Sequence, residues 1–194
     1  MFSLFFITVP YGRHTQSRNW GPLVDNRVGW IIMELPALLT MPIVFLMGDA
    51  EKTTFLWLMF AAWIFHYFNR VVIFPFRTKT TGKKMPLSVA LFGVIFNVTN
   101  GVFLGYYLVF LSEGQFRDEY FLDPRFFIGL FIFASGIWIN WRSDRILFNL
   151  RKPGETGYKI PFGGWYRWIS CPNYFGEIVE WAGFAPASFI PSIL

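Results

Sequence analysis

An all-α, polytopic transmembrane helix bundle is the fold class this sequence predicts, and three observations predict it. Long apolar runs recur along the chain. Basic residues collect in alternate loops between them. Only 15% of the 194 residues are charged, against 54% hydrophobic and 22% aromatic, proportions far from those of soluble globular domains. The formal net charge of +5 raises nucleic acid as a partner. Basic residues in short loops between apolar runs answer to membrane orientation instead, so no nucleic acid and no obligate protein partner is expected. The single cysteine, Cys171, rules out an intramolecular disulfide and a Cys-rich metal site. No hydrophilic segment is long enough to fold alone, so residues 1–194 are read as one membrane domain.

Met1–Val9 is apolar but shorter than the roughly 20 residues a spanning helix needs. It lacks the basic n-region and cleavage site of a signal peptide and reads as the tail of a partial helix. Five full spans follow: Val28–Met47, Thr53–Phe74, Pro86–Leu111, Arg125–Ile146 and Tyr174–Leu194. The last meets the C-terminus without a closing basic flank, so both ends read as cut.

Orientation comes from the loops. Tyr11–Arg27, Phe76–Met85 and the long connection, counted from Arg142 at the end of the fourth span, hold thirteen of the seventeen Lys and Arg residues. Gly48–Lys52 and Ser112–Pro124 are acidic on balance. This alternation places the three basic loops in the cytosol. A bacterial inner membrane and an endoplasmic reticulum membrane satisfy it equally.

The stretch Arg151–Trp181 carries eight aromatic residues and three prolines, too many for a plain linker. Residues 142–173 are therefore expected to form a cytosolic loop that packs against something rather than a free linker. Glu177 and Glu180 then enter an apolar run three residues apart, and carboxylates in hydrocarbon mark sites by default. Asn140 with Asp144, and Asn173 with Glu177, are spaced four apart, so each pair shares a helix face.

Glu34 lies about 9 Å beyond the start of its helix and Tyr67 about 11 Å from the end of the next, at 1.5 Å per residue. A carboxyl and a phenol from neighbouring helices thus reach similar depth. The structural alternatives are a carboxyl bonded between helices for Glu34, ring packing for Tyr67 and Trp181, and a salt-bridged helix end for Asp144. His66 and Arg70, one turn apart, read as structural partners for Glu34 or Glu180. Asn97-Val98-Thr99 is a glycosylation triplet inside a membrane helix and is set aside.

Several chemistries are excluded by pattern. Neither GxGxxG nor P-loop spacing occurs, two histidines cannot build the usual metal cluster, and serine hydrolysis lacks a Ser/His pair. What remains is a polar cavity open to basic loops, suited to an anionic cosubstrate and a lipid-soluble substrate.

The blocks Gly12–Gln16 (GRHTQ), Glu34–Pro36 (ELP), His66–Arg70 (HYFNR), Asn100–Phe110, Ile139–Tyr166 and Asn173–Trp181 (NYFGEIVEW) resemble, in order, the steroid 5α-reductase family; the notable candidate is a bacterial-type member. The resemblance implies a seven-helix membrane enzyme that uses NADPH to reduce the Δ4 double bond of 3-oxo-steroids. It implies that Glu34 and Tyr67 sit at the substrate 3-carbonyl as catalytic residues. Asn100, Asn140, Asp144, Arg151, Tyr158, Asn173 and Glu177 match cofactor-lining positions, and Trp181 a residue that walls the substrate pocket or the nicotinamide. Phe148 stands where some relatives have an arginine, and Met33 replaces a glutamine before the glutamate. Alternatives are a membrane reductase of an enoyl-CoA, a polyprenol or another sterol double bond, an isoprenylcysteine-type methyltransferase, and a non-enzymatic sterol-binding protein.

Overall fold

The computed structural model describes residues 20–49, 51–80, 82–111, 116–151, 155 and 159–188. Helix dominates. The elements are β1 (Leu23–Asp25), α1 (Asn26–Met47), α2 (Thr54–Arg77), β2 (Lys84–Pro86), α3 (Leu87–Leu111), α4 (Pro124–Phe148) and α5 (Pro172–Ser188). Short 3-10 turns lie at Asp118–Leu122 and Gly164–Arg167. Helices α1 to α4 are each long and apolar enough to cross a membrane. They coincide with four of the expected spans to within three residues at either end. The fifth expected span is helical over Pro172–Ser188, and its remainder, like Met1–Val9 and Gly12–Gln16, lies outside the described residues.

The helix boundaries follow from local chemistry. Asp25 caps α1, its carboxylate accepting from the backbone N–H of Arg27 at 2.9 Å and of Val28 at 3.3 Å. Asp123 does the same for α4 at 2.8 Å to Arg125 N, with Pro124 at the first helical position, where its missing N–H costs nothing. Pro36 and Pro42 fall inside α1, which runs through both.

The chain divides into two compact units. One holds β1, α1, β2, α3 and α2 from Phe60 onward; the other holds the start of α2 together with α4 and α5. In the first unit α1 and α3 run parallel, and a row of small residues on α3 sets their distance. A Cβ on Gly101 would lie against the Thr40 hydroxyl and 3.1 Å from Met41 N, and one on Gly105 would lie 2.9 Å from Val44 Cβ. Small residues four apart let apolar helices approach closely where no hydrophobic effect drives them together.

Segments of the first two basic loops pair briefly. β1 and β2 form an antiparallel ribbon with Leu23 opposite Pro86 and Asp25 opposite Lys84. The ribbon puts both segments on one side of the α1–α3 pair, as the alternation of loop charge requires.

Proline shapes α2. Pro75 has no N–H to donate, and its ring crowds the carbonyl one turn back. The helix widens there into a π turn over Asn69–Ile73, in which Phe74 N–H reaches Asn69 O. Such one-turn bulges concentrate at functional sites.

In the second unit α4 and α5 run antiparallel in backbone contact. A Cβ on Gly136 would lie 2.6 Å from Glu180 Cα and from Gly176 O; one on Gly176 would lie 2.5 Å from Asn140 N. At the other end Phe55, from the start of α2, stacks on Phe116 at 5.6 Å and meets Phe126 at 5.7 Å. Its backbone N–H donates to Asp118 at 3.0 Å.

Candidate functional site

Two buried polar clusters occur in helices otherwise made of apolar side chains, one in each unit.

The first is built around Glu34, whose side chain is 12% exposed. Glu34 Oε1 pairs with the Arg70 guanidinium at 3.8 Å. Its Oε2 accepts a long bond from Asn97 Nδ2 at 3.4 Å, while the same amide donates to Met33 O at 2.7 Å. Three helices therefore converge on one carboxyl. Tyr67 is buried on the α2 face that turns toward α1. Trp63, four residues before it, donates its indole N–H to Ala37 O at 2.9 Å, and Arg70, three after, meets Glu34. Tyr67 therefore lies between those two contacts, packed on Trp63 at 4.5 Å and edge-on to His66 at 4.9 Å. The expected shared depth of Glu34 and Tyr67 follows from this antiparallel register.

Arg70 is held from several sides. Its guanidinium lies over the rings of Trp30 at 4.6 Å and Phe74 at 4.5 Å, and those rings pack on each other at 4.8 Å. The indole N–H of Trp30 donates to Arg70 O at 3.2 Å. In the π turn that carbonyl would look to residue 75 for a donor, and Pro75 has none.

The second cluster joins α4 to α5. Asn140, 3% exposed, donates through Nδ2 to Asn173 O and to Glu177 Oε1, both at 3.1 Å. Asp144 lies one turn along α4 and is equally buried. Tyr166, from the 3-10 turn, is its neighbour in charge. Desolvation holds the Tyr166 phenol well above its ordinary range, and the negative charge of Asp144 adds to that. Its hydroxyl is buried with no hydrogen-bond partner among the described residues. Glu180 is buried as well, its backbone lying against Gly136.

Of the residues singled out in the sequence, Glu34 and Tyr67 share the first cluster, and Asn140, Asp144, Asn173 and Glu177 share the second. Asn100 is half-buried on α3 in the first unit, and Arg151 is half-buried just past α4. Trp181 packs its ring on Phe184 at 5.5 Å. Tyr158 lies outside the described residues. Helix α4 continues to Phe148, so residues 142–148 are helical and the connection to α5 begins after them.

Three residues of these clusters were not among the candidates. Arg70 had a signal, an intramembrane cation, and was read as structural. Asn97 was masked by its glycosylation triplet. Tyr166 sits in an aromatic-rich loop without periodicity, where nothing in the sequence separates it from its neighbours.

Comparison with known proteins agrees with the resemblance. Residues 83–193 match the family model described as 3-oxo-5-alpha-steroid 4-dehydrogenase. The chain is 40% identical over 192 residues to a steroid 5-alpha-reductase of Gossypium hirsutum, covering 94% of this chain and 71% of that protein. It is 41% identical over 185 residues to 3-oxo-5-alpha-steroid 4-dehydrogenase 1 of Bos taurus, covering 93% and 70%. The Homo sapiens protein of that name is 38% identical over 182 residues, covering 92% and 68%.

Proposed function

The chain belongs to the 3-oxo-5-alpha-steroid 4-dehydrogenase family, and from that premise we propose a membrane-embedded oxidoreductase that uses NADPH to reduce the Δ4 double bond of a 3-oxo-steroid. The observation that carries the reading is the Glu34 cluster: a carboxyl, a phenol, an amide and a guanidinium gathered among helices long enough to span a bilayer. Such groups are costly in an apolar setting and are kept for chemistry.

Conjugate reduction delivers hydride to C5 and leaves an enolate at the 3-oxygen, with a proton then added at C4. Tyr67 donates to that oxygen, a bond that strengthens as negative charge develops and therefore speeds the step. Glu34, ionised against Arg70, is assigned to the same place as an acceptor that orients the Tyr67 hydroxyl. Trp63 and His66 fix the Tyr67 ring by packing on it. Trp181 is assigned to the wall of the substrate pocket.

NADPH, when bound, supplies the hydride. The second cluster suits a nucleotide: Asn140, Asn173 and Glu177 offer amide and carboxylate groups, and the buried Tyr166 hydroxyl is a donor awaiting an acceptor. Asp144 suits a ribose hydroxyl and Arg151 a phosphate, with Asn100 and Tyr158 completing the assignment. Of residues 142–173, the part that follows α4 is proposed to cover the cofactor from the cytosol, where positive loops attract its charge. The bilayer is the medium from which the greasy substrate arrives.

The test is NADPH oxidation by detergent-purified protein given progesterone or testosterone, with the product identified by mass spectrometry. The 5α-reduced ketone is expected, and steroid binding without NADPH consumption would overturn the reading. Asn140→Ala and Glu177→Ala are each expected to weaken NADPH binding at least tenfold by direct titration without steroid. Unchanged affinity in both would move the cofactor elsewhere.

A further inference from the structure

We infer that Arg70 is a positioning residue, held in place by the Pro75-dependent π turn and the Trp30 and Phe74 rings, which sets the orientation of the Glu34 carboxyl. The inference rests on the assignment of Glu34 to the 3-carbonyl and adds a group that touches neither substrate nor cofactor.

The construction is visible along α1. Trp30 and Glu34 are four residues apart, so they project from one face. Trp30 takes both ends of Arg70: its ring lies under the guanidinium and its indole N–H binds the backbone carbonyl. Glu34 meets the same guanidinium at 3.8 Å. Phe74, one turn after Arg70, supplies the second ring. With the planar head fixed by two aromatic surfaces, its positive charge is held in one place, and Glu34 Oε1 lies 3.8 Å from it. Asn97 addresses the other oxygen at 3.4 Å. The carboxyl thus faces a fixed charge at Oε1 from α2 and a long amide contact at Oε2 from α3.

Anchoring a guanidinium to the membrane bundle alone would need rings and carbonyls. A carboxylate partner in the same buried place ties its geometry to the chemistry that carboxyl performs. The wide turn matters because it strands the Arg70 carbonyl that Trp30 then binds, locking the two helices at this level. A side chain with the same charge but no planar head, such as lysine, keeps the ion and loses its fixed place.

The experiment is a double-mutant cycle on purified protein, with turnover, steroid KM and NADPH affinity measured for Arg70→Lys, Glu34→Gln and the pair. Arg70→Lys is expected to lower kcat at least fivefold, with NADPH affinity and steroid KM each within twofold of wild type. In the Glu34→Gln background the same change is expected to cost less than twofold. Phe74→Leu, which removes one ring and leaves the ion pair, serves if Arg70→Lys fails to fold. It is expected to lower kcat two- to fivefold and to lose that effect in Glu34→Gln. Losses that multiply in the double variants, or a wild-type kcat in the single ones, would overturn the role of Arg70 alone. Wild-type turnover in Glu34→Gln would overturn the assignment of Glu34, and this inference with it.

Discussion

Gly176→Val is expected to yield no folded protein. In α5 a Cβ at this position would sit 2.5 Å from Asn140 N, 2.8 Å from Gly136 O and 2.9 Å from Asn140 Cα. All three are backbone atoms of α4, so no rotamer change relieves the clash. The two helices must separate along the whole seam that also holds Gly136 and Gly183, where an added Cβ would lie 2.6 Å from Gly129 O. Inserting carbon into a well-packed core costs about 1–3 kcal/mol when side chains can shift, and here they cannot. The loss also reaches the second polar cluster, because Asn140 and Glu177 bond across the same seam. The check is size-exclusion profile and thermal unfolding in detergent. A monodisperse variant melting with the wild type would show that the helices are not packed this closely. Gly176→Ala is expected to fall between the two.

Tyr67→Phe and Glu34→Gln are each expected to cut turnover at least tenfold while NADPH still binds. Phenylalanine keeps the packing on Trp63 and His66, so the fold is preserved and only the hydroxyl is lost. A donor aimed at a developing oxyanion contributes a few kcal/mol, and tenfold corresponds to about 1.4 kcal/mol, so the expected loss is a lower bound. Glutamine at position 34 keeps the size and a hydrogen-bonding head but removes the charge that meets Arg70. Steady-state kinetics with separate NADPH titration gives the answer. Wild-type turnover in either variant would remove that residue from the assignment.

Much of this was legible before any coordinates. The span positions follow from apolar length alone, because a bilayer demands it, and α1 to α4 match. The pairing of Asn140 with Glu177 was foreshadowed by spacing four on each helix, since those faces are the polar ones and polar faces in apolar helices seek each other. The π turn was written in Pro75, although only the geometry shows that Trp30 takes the orphaned carbonyl. Asn97 was hidden by a local motif that its depth in the membrane makes irrelevant. Tyr166 could not be found, because its burial against Asp144 depends on how the loop folds back toward α4.

The order of residues alone settles that this is a membrane helix bundle, where its spans lie, and which polar side chains stand on the same face of one helix. Those properties depend on local periodicity and on transfer to an apolar medium, both readable along a single strand of sequence. Which helix meets which was decided in three dimensions: α1 beside α3 in parallel, α4 against α5 in backbone contact, and Arg70 beside Glu34. In a membrane no hydrophobic drive separates one apolar helix face from another. The choice falls to shape, to glycines that admit a neighbour's backbone and to charges that need a particular partner.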